Sequence, residues 1–132
     1  TPGGYYFRPA SSIEGRLKWY IHHQGGGWCQ LERPVETWPN DNCLHRRSTE
    51  MGSLRADNDT QLFDGYYNSQ DPAENPLMAG WNNVMIRYCD GGSFTGQKRD
   101  PVSVNGTELH FKGRYILEAV IFCNGFSGSG RF

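Results

Sequence analysis

Apolar residues in this chain come in short bursts separated by long polar stretches. The first burst, Tyr5-Tyr6-Phe7-Arg8, predicts a strand, and a turn from Pro9 to Gly15 leads to a second strand over Leu17 to His23. Their spacing suggests a hairpin. Side chains alternate along a strand, so His22 and His23 face opposite sides of it, one toward core or cleft and one away. From Gln30 to Asn82 neither helical nor alternating periodicity persists, apart from one short helix beginning near Leu44. Asn83 to Cys89 then predicts a buried strand, and Asp90-Gly91-Gly92-Ser93-Phe94-Thr95-Gly96 a glycine-rich loop at its end. The last apolar segment runs from Leu109 to Phe111 through Gly113 into a helix over Arg114 to Ile121, with positions 116, 117, 120 and 121 on one face. No repeat and no dividing linker interrupts the sequence, so residues 1–132 read as one domain.

Two strands that end in glycine loops, followed by a helix, fit an open α/β sheet in which ligands collect beyond the strands' carboxyl ends. The first of these loops, Gly25-Gly26-Gly27-Trp28-Cys29, is the strongest chemical signal. Lacking Cβ atoms, a glycine run lets a ligand approach backbone N–H groups closely, as an oxyanion hole or phosphate cradle requires. Trp28 would stand beside those donors as a rigid apolar wall. A plain flexible turn explains the glycines equally well on their own. The length of the irregular stretch from Gln30 to Asn82 favours a site, because such loops in compact domains are commonly lids or binding loops.

Composition narrows the partners. The formal net charge of −1 argues against nucleic acid or an anionic membrane surface, and no apolar run has the length of a spanning helix. Aromatic residues make up 14% of the chain, with 17 glycines and 7 prolines, which describes a heavily looped globular domain. Cys29, Cys43, Cys89 and Cys123 form an even set without a C-x-x-C pair, so disulfides or buried thiols are expected rather than zinc. A Cys29–Cys43 bridge would staple the proline- and asparagine-rich segment between them. Acceptor sequons at Asn58 and Asn105, together with these cysteines, point to a secreted or surface location. The chain opens on Thr1 rather than Met, as expected where a leader has been removed.

The ordered series Gly4-Tyr5-Tyr6-Phe7-Arg8, Lys18-Trp19-Tyr20-Ile21, Gly25-Gly26-Gly27-Trp28-Cys29, Trp81-Asn82-Asn83-Val84, Arg87 to Gly96 and Leu109 to Gly113 resembles the pectin acetylesterase family, whose relatives include Notum-type carboxylesterases. The resemblance implies the N-terminal part of an α/β-hydrolase-like fold with long irregular loops. It also implies a secreted enzyme that removes acyl groups from an acylated polysaccharide or glycan or, in Notum relatives, from a lipidated protein, through a Ser-His-Asp triad, with no metal and no organic cofactor. Carried over by residue, the N–H groups of Gly26, Gly27 and Trp28 would form most of the oxyanion hole, and Trp28 would line the acyl pocket. Asp90, Ser93 and Thr95 fall in the loop bordering the substrate cleft, where they would contact sugar or order the loop.

Departures from the family pattern bear on mechanism. The nucleophile elbow of these enzymes, Gly-Cys-Ser-Ala-Gly-Gly, has only a loose counterpart in Gly125-Phe126-Ser127-Gly128-Ser129-Gly130, where Ser127 would be the nucleophile. Ser129 stands where the closing glycine belongs, and the stretch 122–132 reads more readily as a flexible tail. Gln24 and Gln97 replace residues that are commonly Glu and Asp in relatives. His22, His23, His45-Arg46-Arg47 and His110 carry no triad signature, and His45-Arg46-Arg47 reads as a solvated helix face. The expectation is therefore an esterase portion that carries the oxyanion loop without its triad. The alternative is a non-catalytic extracellular glycan-binding or assembly module, with a partner chain over its open sheet edge.

Overall fold

The computed structural model describes residues 3–32, 34–56, 65–122 and the backbone of 129–131. Strand β1 (Gly4–Arg8), β2 (Trp19–His23), helix α1 (Cys43–Arg46), β3 (Asn82–Ile86), β4 (Val102–Val104), β5 (Thr107–Leu109), helix α2 (Gly113–Phe122) and β6 (Ser129–Arg131) follow in chain order. Four strands form one sheet in the order β2-β3-β1-β6, and β4 and β5 make a separate ribbon.

The expected β1–β2 hairpin does not form. β3 lies between the two strands, antiparallel to β1 with Tyr5 opposite Ile86 and Phe7 opposite Val84, and parallel to β2 with Ile21 opposite Val84. Burial accompanies the order: Val84 and Ile86 are fully buried, whereas Trp19 and Ile21 on β2 remain exposed, so the most buried strand lies inside the sheet and β2 at its edge. The core lies on one face, where Tyr5, Val84 and Ile86 meet Tyr88, Phe94 and Val120, with Phe7, Ile116 and Leu117 packed against them. Helix α2 therefore docks through positions 116, 117 and 120. Ile121, expected on the same face, is exposed, as is Phe122.

On the opposite face, Asn83 donates to Asn68 Oδ1 at 3.1 Å and the Arg8 guanidinium donates to the Asn68 carbonyl, so the segment after Gly65 covers the sheet there. Asn82 ties the turn before β2 to β3, its amide donating to the carbonyls of Arg16 and Lys18 at 2.9 and 3.1 Å. β4 and β5 were not anticipated. Their signal is the alternation on either side of Asn105-Gly106, the dipeptide preferred where both central residues of a two-residue hairpin turn need positive φ, here +50° and +74°. At the far end, Ser129–Arg131 pairs antiparallel with β1, a strand where the sequence suggested a flexible tail.

Candidate functional site

β2 and β3 run parallel, and the two glycine loops leave their carboxyl ends side by side. Gln24 fixes the start of the first loop: its N–H donates to the Ile86 carbonyl at 3.0 Å and its side-chain oxygen accepts the Tyr88 N–H at 2.9 Å. Gly26 lies so close to the molecule that a Cβ would fall 2.7 Å from Met51 Sδ and 2.9 Å from the Tyr88 ring. Gly27 has open space around it but holds φ +67°, a left-handed conformation that glycine adopts without strain.

The carbonyls of this loop point inward. Arg46, 2% exposed, donates to Gly26 O at 2.9 Å and to Gly27 O at 2.6 Å, and the Tyr88 hydroxyl donates to Gly27 O at 2.7 Å. Among the described residues, the N–H groups of Gly26, Gly27 and Trp28 meet no acceptor. That open run ends at Cys29, whose N–H donates to the Gly91 carbonyl at 3.1 Å. The Cys29–Cys43 disulfide, expected from sequence, joins the end of the loop to the first residue of α1. Asn42 caps that helix by accepting the His45 N–H at 3.0 Å, and Arg46 closes it.

The second loop forms the facing wall. Ser93 and Phe94 hold φ of +50° and +60°, and the Ser93 N–H donates to the Tyr88 hydroxyl at 3.0 Å, so one phenol binds both loops. Between them lies a pocket of about 400 Å³ lined by Gly25 to Gly27, His23, Tyr88, Ser93, Thr95 and Leu117 among others. Ser93 and Thr95 are both exposed there. The Ser93 hydroxyl has no partner among the described residues, whereas that of Thr95 donates to its own loop at Gly92 O, 2.6 Å away.

Trp28 and Asp90 stand outside the pocket. Trp28 does not line this pocket; its side chain is 71% exposed beside it. Asp90 is buried, and its carboxylate accepts the N–H of Gly92 at 3.0 Å and that of Gly113, the first residue of α2, at 2.8 Å. Both oxygens are thus engaged in ordering the loop and seating the helix rather than facing the pocket. Ser127, Asn58 and Cys123 lie outside the described residues. Asn105 is exposed at the tip of the β4–β5 turn.

His22 and His23 point to opposite faces, as alternation predicts. His22 Nδ1 lies 3.2 Å from the Tyr20 hydroxyl, while His23 sits at the pocket with its ring edge-on to Phe94, centroids 5.3 Å apart. Desolvation, and then the neighbouring His22, hold the His23 imidazole below its ordinary value. On the far face, burial raises the Tyr20 phenol, with Tyr67 adding to the shift. The residue that sequence reasoning placed wrongly is Arg46. Read as part of a solvated face, it is instead the buried cation behind the glycine loop. Its flanking residues His45 and Arg47 do not share that burial. The readable signal was the disulfide, which forces the helix carrying Arg46 against the loop carrying Cys29.

Most of the chain is similar to known proteins. The pectinacetylesterase family model matches residues 1–123. Pectin acetylesterase 5 of Arabidopsis thaliana is 39% identical over 118 residues, covering 89% of this chain and 25% of that protein. Pectin acetylesterase 4 of the same plant is 37% identical over 118 residues, covering 89% and 26%. Among solved structures, the Wnt deacylase Notum from Drosophila superposes with a TM-score of 0.71 at 27% identity, covering 90% of this chain and 31% of that one. The chain belongs to the pectinacetylesterase family, and its sheet and loops are part of an α/β-hydrolase fold. It spans about a quarter of the length of the curated relatives it matches.

Proposed function

We propose that this segment of a pectinacetylesterase-family protein supplies the oxyanion side of a carboxylic-ester hydrolase that removes acetyl groups from pectin-like polysaccharide. The observation that carries the reading is the run of N–H groups at Gly26, Gly27 and Trp28 that meet no acceptor among the described residues, on a loop whose carbonyls are tied back. When a nucleophile adds to an ester, charge gathers on the former carbonyl oxygen. Fixed donors about 2.7–3.1 Å from that oxygen's final position stabilise the transition state more than the substrate. Acetylated polysaccharide is favoured over a lipidated protein because identity is higher to the pectin acetylesterases, 39% and 37%, than to Notum proteins, 31% and 27%. The nucleophile, base and orienting carboxylate are assigned to residues other than those described. An extracellular setting accords with the disulfide and with the exposed sequon asparagine, Asn105. Among the described residues no helix is long and apolar enough to cross a membrane.

Acetate release from acetylated pectin fragments by the full-length protein, measured alongside calorimetric binding of the same fragments, tests the assignment. Turnover with saturation supports it. Binding without acetate release transfers the protein to the non-catalytic glycan-binding reading.

A further inference from the structure

Arg46 is a buried cation whose described hydrogen bonds all go to backbone carbonyls. Nε donates to Asn40 O at 2.5 Å, and the two terminal nitrogens donate to Gly27 O and Gly26 O at 2.6 and 2.9 Å. Its ion-pair partner, the Asp41 carboxylate, stands 3.9 Å away and is itself substantially exposed. The positive charge is therefore directed mainly into the glycine loop. Each carbonyl it grips shares a planar peptide with the next residue's N–H: Gly26 O with the Gly27 N–H, and Gly27 O with the Trp28 N–H. In a trans peptide these groups point in opposite directions, so holding the oxygens toward Arg46 aims both N–H groups away from it. A cation on the carbonyl also draws electron density through the amide and makes that N–H a stronger donor.

We infer that Arg46, assisted by the Tyr88 hydroxyl, is a positioning residue that aims and polarises the oxyanion donors from behind. The inference rests on the esterase reading proposed above and adds a source of donor strength that touches neither substrate nor nucleophile. Arg46 acts on both peptides, whereas Tyr88 bonds only Gly27 O and so acts only on the Trp28 N–H.

That asymmetry supplies the test. In the full-length protein, Arg46→Gln, Arg46→Lys and Tyr88→Phe are compared by amide nitrogen chemical shifts, by kcat and KM for acetylated pectin fragments, and by affinity for an alkyl boronate that mimics the tetrahedral anion. Arg46→Gln should move the Gly27 and Trp28 resonances upfield together. Tyr88→Phe should move that of Trp28 and leave that of Gly27 in place, which general loosening of the loop would not do. Arg46→Gln should lower kcat on the order of tenfold, less than the ~10²–10³ of a deleted donor, with KM within about twofold. Boronate affinity should fall in parallel with kcat, and Arg46→Lys should recover part of both. If Arg46→Gln does not fold, the Tyr88→Phe pattern decides alone. Resonances that stay in place in Tyr88→Phe, or that shift equally for both residues, overturn the clamp. Resonances that move as expected while kcat and boronate affinity hold overturn the esterase reading of the loop and leave the polarisation standing.

Discussion

Replacing Asp90 tests whether the second loop is held by a buried carboxylate or offers that carboxylate to substrate. Its two oxygens accept from Gly92 and Gly113 at 3.0 and 2.8 Å, and the surrounding glycines leave little slack. A Cβ at Gly113 would fall 2.2 Å from Oδ2, one at Gly96 3.1 Å from Oδ2, and one at Gly92 3.3 Å from Oδ2. Nothing larger than a carboxylate fits this cage. Hydrogen bonds to a charged acceptor contribute about 1.5–3 kcal/mol each, and an anion at a helix N-terminus adds about 0.5 kcal/mol, since α2 begins at Gly113. Asp90→Ala removes both bonds and leaves two N–H groups facing a void, so a loss of about 4 kcal/mol is expected. Asp90→Asn keeps one acceptor but turns an NH₂ toward the other N–H, for a loss of about 3 kcal/mol. Asp90→Glu, one methylene too long, should also destabilise. Urea unfolding followed by tryptophan fluorescence measures all three. A cost below about 1 kcal/mol for Asp90→Ala would refute the buried-strut argument. A large rise in KM at unchanged stability would return Asp90 to the substrate.

The Cys29–Cys43 bridge spans a sequence separation of 14, so replacing both cysteines by serine should cost about 3 kcal/mol through the freed entropy of the unfolded chain; equal denaturation midpoints for the double variant and the parent would contradict this. Gly27→Ala meets no atom and pays only for its positive φ, about 1–2 kcal/mol, whereas Gly26→Ala must also displace Met51 or Tyr88 and should be the more damaging by thermal unfolding. His23 should titrate below 6.5 in an imidazole NMR titration, and His22→Gln should raise it by removing a neighbouring positive charge. Because its folded value is depressed, the unfolded chain binds the proton more readily, so the His23 contribution weakens stability as pH falls through its ordinary value and below. A His23→Gln variant should show a flatter stability profile over that window, and an unaltered profile would count against the shift.

How much of this was legible depends on the range of the interaction. β1, β2, β3 and α2 were readable because each presents an apolar face with the period of its own element, and both glycine loops were readable from composition alone. Strand order was not, because pairing is decided by which strand can bury both its faces. On β3, Val84 and Ile86 are buried on one face and Asn83 on the other, so β3 lies inside the sheet although β1 and β2 are adjacent in sequence. The β4–β5 ribbon was local and available in Val102-Ser103-Val104-Asn105-Gly106-Thr107-Glu108-Leu109, where the alternation is only three residues long on each side of the turn.

Arg46 marks the boundary of such reasoning. It lies in the stretch with the least pattern, between two residues that stay outside the core, and two of its three carbonyl partners lie 19 and 20 positions earlier. A buried arginine held mainly by backbone carbonyls is hidden from a sequence search, because every residue type carries the same carbonyl. What sequence does carry is the constraint that makes the burial tolerable: Cys29 and Cys43 place loop and helix together, and Asn42 starts the helix one residue before Cys43. From that tether the position of Arg46, three residues into α1, follows within one helical turn. The glycines permit the loop's shape, but with the disulfide and the buried cation behind it the loop is also held in that shape. A donor array that must not reorganise as charge develops needs that second property as much as the first.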